Sequence, residues 1–107
     1  MAKQIKFTYN DKDYTLEYTR NSVKQMESEG FVASDIETKP MTVLPALFAG
    51  AFLAHHRFTK RDVIDEIYAK MADKEKLITM LGTMYGETIE WLMKEPEEGN
   101  IDWTLSE

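Results

Sequence analysis

The chain has 107 residues, 43% of them apolar and 30% charged, and carries a net charge of −6 from 19 acidic and 13 basic side chains. That size fits one domain with its own core, and the apolar share excludes a disordered chain. The acidic balance disfavours nucleic-acid phosphates, which demand clustered Lys and Arg. With no Cys there is no disulfide framework, thiolate metal site or cysteine nucleophile.

The first ten residues, MAKQIKFTYN, lack the apolar run of a signal peptide, so the expectation is a cytoplasmic protein. Ile5, Phe7 and Tyr9 alternate with Lys6 and Thr8, and the alternation resumes as Tyr14, Leu16 and Tyr18 against Thr15, Glu17 and Thr19. Period-two patterning predicts a β-hairpin over 4–19, with Asn10-Asp11-Lys12-Asp13 as the link, because Asn and Asp tolerate the left-handed backbone of tight turns. A hairpin alone is marginal in water, so its apolar face must dock on a helix or on another strand.

A short helix is predicted over about 20–29. Thr19 to Asn21 offer caps, Ser22 and Gln25 have capping-box spacing, and Val23 shares a face with Met26. Gly30 supplies the left-handed stop, after which Phe31 can fold back on the helix end. Residues 32 to 40 show no period and read as a loop. The helix predicted over 42–56, in the stretch MTVLPALFAGAFLAHH that starts at Met41, is apolar nearly all round and therefore central and buried. Its apolar run from Val43 to Ala54 is shorter than the ~17–25 residues that cross a bilayer, so no membrane is expected. Thr42 is its predicted cap, and Pro45 is placed in the first turn, where proline is tolerated. Gly50, among Ala46, Ala49, Ala51 and Ala54, is expected to let another element approach closely.

A one-sided stripe of Val63, Ile64, Ile67, Tyr68 and Met71 predicts a helix over 59–71 opened by Thr59 and Asp62, with Glu66 and Lys70 pairing on the outer face. A longer helix is predicted over 73–94, its apolar residues spread over half its circumference, wider than one neighbour covers. Met80, Met84 and Trp91 lie along one edge of that arc. They fill irregular core space or form a partner or self-association surface, since methionine adapts to varied apolar partners. The globular unit is thus 1–94, an α+β fold, mainly α, with an N-terminal hairpin and about four helices around a buried central one. Residues 95–107 form an acidic tail with no basic side chain, inside which Ile101, Trp103 and Leu105 alternate as a strand would.

Chemistry is sparse. His55 and His56 are adjacent and point about 100° apart on a helix, so they lack the i,i+4 clamp of zinc helices, and no metal is expected. No nucleophile and base arrangement, phosphate-cradling glycine loop or apolar carboxylate pair stands out, so neither an enzyme nor a cofactor is expected.

The hairpin FTYNDKDYTLEYT, the short helix NSVKQMESEGF, the apolar helix PALFAGAFLAHH and the helical pair ending in KLITMLGTMYGETIEWLM together resemble the tail assembly chaperones of long-tailed, siphovirus-type bacteriophages and prophages. The resemblance covers residues 3 to 94. It implies a chaperone that keeps the tape-measure protein soluble and helps tail-tube protein assemble around it, by apolar helix surfaces and without a cofactor. Met80, Met84, Trp91 and Trp103 are the expected partner-binding residues, and self-association is a further possibility. Two alternatives remain open: a small phage or prophage structural protein that associates by strand addition at the hairpin, and a non-enzymatic adaptor.

Overall fold

The computed structural model describes residues 3–93, 99 and 101–106. It is an α+β fold, mainly α, in the order β1 (Ile5–Tyr9), β2 (Lys12–Leu16), α1 (Arg20–Ser28), a 3-10 turn (Ala33–Ile36), α2 (Pro40–Gly50), α3 (Arg61–Lys70) and α4 (Lys74–Met93). The last residue of the predicted fourth helix, 94, and most of the 95–100 stretch lie outside the described residues.

The strands pair antiparallel with Phe7 opposite Tyr14 and Tyr9 opposite Lys12. The turn is tighter than the four-residue link read from the sequence. Asn10 and Asp11 alone make it, both with positive φ (50° and 63°), so Lys12 and Asp13 belong to β2. Two consecutive left-handed residues match the right-handed twist of the strands, and Asn and Asp adopt them at low cost.

Helix α1 is capped by Thr19, whose Oγ1 accepts from the Ser22 amide at 3.1 Å while Ser22 Oγ accepts from the Thr19 amide at 2.8 Å. The capping box is therefore Thr19 with Ser22, not Ser22 with Gln25. Its end is as read: Gly30 has φ +95°, its amide donates to Glu27 O, and the Phe31 amide donates to Met26 O. This pair of bonds satisfies two carbonyls that the helix end would leave open.

Helix α2 starts and stops earlier than 42–56. Pro40 takes the first helical position, where its fixed φ is already helical, and no side chain caps the start. Thr42 is inside the helix, and Pro45 falls in the second turn, where it deprives the Met41 carbonyl of a donor; Met41 is 89% exposed, so water reaches it. The end at Gly50 is set from outside the helix. Tyr18 Oη donates to Leu47 O at 2.5 Å and the Glu17 amide donates to Ala51 O at 3.1 Å. The next amides tighten to i−3 partners, Ala51 to Phe48 O and Phe52 to Ala49 O. The two residues just past β2, which ends at Leu16 and not at the predicted 19, thus take the carbonyls with which the helix would have continued.

Helix α3 begins at Arg61, with Lys60 at the cap position and no side-chain cap bond, so Thr59 does not open it. Glu66 and Lys70 do not pair with each other; both reach the hairpin. Tyr9 Oη donates to Glu66 and accepts from Lys70 Nζ at 3.2 Å, with that ammonium 5.4 Å above the Tyr9 ring. Burial centres on α2, as its all-round apolarity requires. Phe48, Ala51, Phe52, Leu16 and Leu81 are essentially inaccessible, and both α1 and α2 cover α4. That double cover explains the wide apolar arc of α4.

Candidate functional site

One face of α2 forms the bottom of a groove between its neighbours. Thr42, Val43, Ala46, Ala49, Gly50 and Leu53 recur at three- and four-residue spacing and form the floor of a groove of about 410 Å³. The end of α1 (Met26, Glu29, Gly30), the following Phe31 and Val32, and the 3-10 turn through Asp35 make one wall; Thr59, Arg61 and Ile64 make the other. The left-handed Gly30 sends the chain sideways off α1, and the small side chains of α2 keep the floor low, so these local features open the groove. The volume lies within the range of ~300–1,000 Å³ typical of ligand sites.

The groove is lined mainly by carbon, with Glu29, Asp35, Lys39 and Arg61 as its charged members. Next to it in sequence, Met41 and Phe58 are exposed to 89% and 93%, and Val32 in its wall to 47%. Apolar floor, mixed-charge edge and exposed apolar flanks are what an amphipathic helix needs from a receptor. Gly50 is already used from within: a Cβ there would collide with Met26 Sδ. The close approach expected at Gly50 is therefore the Met26 side chain.

The two histidines lie at the corner between α2 and α3 and hold the hairpin. His55 pairs with Glu17, a carboxylate only 9% exposed that also accepts from Gln4 Nε2 at 3.1 Å. His56 Nε2 accepts from the Thr15 amide at 2.9 Å, so that nitrogen carries no proton. Burial, then the charges of Lys12 and His55, hold the His56 pKa below the ordinary histidine value. Among the described residues no three His, Asp or Glu side chains gather as a metal ion would require. No helix among them is long and apolar enough to cross a membrane.

The residues expected to bind a partner do not form one surface. Met84 is 3% exposed and belongs to the core, which corrects its assignment to a partner surface: the part of the α4 arc that carries it faces the covering elements. Met80 is half-buried, and Trp91 is 41% exposed beside a small cleft shared with Lys3, Tyr18 and Glu87. Trp103 is 80% exposed, as are its alternating neighbours Ile101 and Leu105 at 87% and 77%. The groove on α2 was not anticipated as a site. Its only sequence signal was the cluster of small residues around Gly50, since its walls depend on how α1 and α3 are placed against α2.

Comparison with curated proteins and with solved structures gave no match. A family match does span nearly the whole chain, residues 1–106, and on it the chain belongs to the family described as a domain of unknown function, DUF5055.

Proposed function

We propose that the chain is a tail assembly chaperone of long-tailed bacteriophages or prophages, and that the groove on α2 receives an apolar helical stretch of the tape-measure protein. The observation that supports this reading is the groove itself: a mainly apolar channel between α1, α2 and α3 with Glu29, Asp35, Lys39 and Arg61 among its lining and the exposed Met41 and Phe58 next to it in sequence. A tape-measure protein is long and helical, and it must be held soluble yet released to the tail-tube protein. A shallow groove with small side chains on its floor suits that task, because it buries one face of a helix without enclosing it.

The test is co-expression with a tape-measure protein of a long-tailed phage or prophage that encodes the chain, followed by pull-down and measurement of its soluble fraction. Ala46→Glu puts a charge on the groove floor and Val32→Glu puts one in its exposed wall. Both variants are expected to fold with near-native melting temperature, while the tape-measure protein moves to the insoluble fraction. Equal capture by the native chain and both variants would remove the groove from this role, and absence of capture by the native chain would remove the function.

A further inference from the structure

The hairpin has one edge without a partner. The two-residue turn makes Tyr9 and Lys12 a mutually hydrogen-bonded pair, and alternation extends this to Phe7 with Tyr14 and Ile5 with Leu16. The amides and carbonyls of Lys6 and Thr8 therefore point away from β2. On the far side, Thr15 of β2 donates to His56, and Glu17 just past the strand donates to Ala51 O. Among the described residues nothing bonds to the outer edge of β1. The apolar face of the sheet is unfinished at the same edge, since Ile5, Phe7 and Tyr9 are only half-buried where Tyr14 and Leu16 on β2 are buried.

A segment with matching chemistry exists in the same chain. Ile101, Trp103 and Leu105 alternate with Asp102 and Thr104 over five residues, the length of β1, and are exposed to 87%, 80% and 77%. We propose that residues 101–105 of a second copy add to β1 as an antiparallel third strand, exchanged reciprocally so that two copies close a dimer. The parity agrees. Backbone bonds from Lys6 and Thr8 to Thr104 and Asp102 place Trp103 opposite Phe7, Leu105 opposite Ile5 and Ile101 opposite Tyr9. All three apolar side chains then extend the unfinished face. On the solvent face Asp102 comes diagonally next to Lys6, a favourable charge pair.

The geometry of the chain's own end favours a second copy over self-docking. Lys3 Nζ lies 3.4 Å from Glu87 Oε1, and Lys3 shares a cleft with Trp91, so α4 ends beside the beginning of β1. A segment of the same chain would enter there and run parallel. To lie antiparallel it must first reach Tyr9, roughly 20 Å further along at ~3.3 Å per residue, which would take up about three quarters of the reach of the short link from Met93. A segment from a second copy can arrive from the Tyr9 end, and mutual exchange satisfies both edges in a closed pair.

Sedimentation velocity on the full chain over a concentration series reads the dimer directly. The native chain is expected to dimerise, and Trp103→Glu to weaken dimerisation by at least about tenfold. Thr8→Pro tests the edge itself: it removes an outward amide that an added strand needs and leaves the bonds to β2 in place. With Trp91→Phe as background, emission of Trp103 should shift to the blue as concentration drives dimer formation. A native chain that stays monomeric overturns the proposal, as does a dimer indifferent to both variants. A Trp103 already shielded in the monomer would also overturn it, since the segment would then be docked on its own chain. Tape-measure capture by the groove is a separate measurement and can succeed or fail independently.

Discussion

At the scale of single residues, the corner at His55 and His56 is where the fold is sensitive to proton concentration. His56 Nε2 receives the Thr15 amide, a bond that only the unprotonated nitrogen can accept, and burial with the neighbouring charges of Lys12 and His55 lowers its pKa. The unfolded chain, with an ordinary histidine near pH ~6.5, then binds a proton more readily than the folded one. This contribution to stability is complete above the unfolded pKa and is lost as pH falls through the lower folded value. We expect urea midpoints to drop between about pH 7 and pH 5 in the native chain. His56→Gln, which offers a neutral acceptor oxygen at a similar reach, should lose the part of that drop due to His56. An unchanged pH profile in His56→Gln would show that other groups set it.

At the scale of elements, what could be read from the sequence was what neighbouring residues decide. The alternation of Ile5, Phe7 and Tyr9, the glycine stop at Gly30 and the stripe of α3 each depend on spacing within one segment, and each element formed where its period lay. The early end of α2 depends on the Tyr18 hydroxyl and the Glu17 amide, which come from the segment after β2, so no pattern inside the helix announces it. The same holds for Met84 and Trp91. The width of the α4 arc showed that more than one neighbour covers it, but not which residues remain outside. The packing of α1 on α2 offers a test of this coupling. Gly50→Ala gains helix propensity of up to ~1 kcal/mol, but its methyl must displace the Met26 thioether, buried at 3% exposure. Overpacking of about 1–3 kcal/mol should outweigh the gain and lower the melting temperature. In Met26→Ala the same Gly50→Ala change should become neutral or stabilising, because the obstructing side chain is gone. A double-mutant cycle in chemical denaturation measures that change of sign, and simple additivity would mean that the two side chains do not meet.

At the scale of the whole molecule, one aromatic series joins the hairpin to the helices. Phe52 lies edge-on to Phe7, Tyr14 and Phe48, at centroid distances of 6.5, 5.7 and 5.2 Å, and Phe48 lies 5.1 Å from Tyr68 on α3. A second series carries Tyr18 onto Tyr85 of α4 and Tyr85 onto Phe31, each at 5.5 Å. A two-stranded hairpin has little stability of its own, so its persistence depends on these contacts. Phe52 is 1% exposed, and Phe52→Ala should cost about 3–5 kcal/mol out of the ~5–15 kcal/mol that a domain usually has. The more informative outcome is the form of the loss. With hairpin and helices in one core, amide exchange at Phe7 and Tyr14 and at Leu81 in the middle of α4 should accelerate together, and melts followed by helical circular dichroism and by Trp91 fluorescence should shift by the same amount. If Phe52→Ala freed only the hairpin, exchange would rise at Phe7 and Tyr14 while Leu81 kept its protection. The helices would then constitute the folding unit, with β1 and β2 an appendage held by polar contacts such as those of Tyr9, Glu17, Tyr18 and His56.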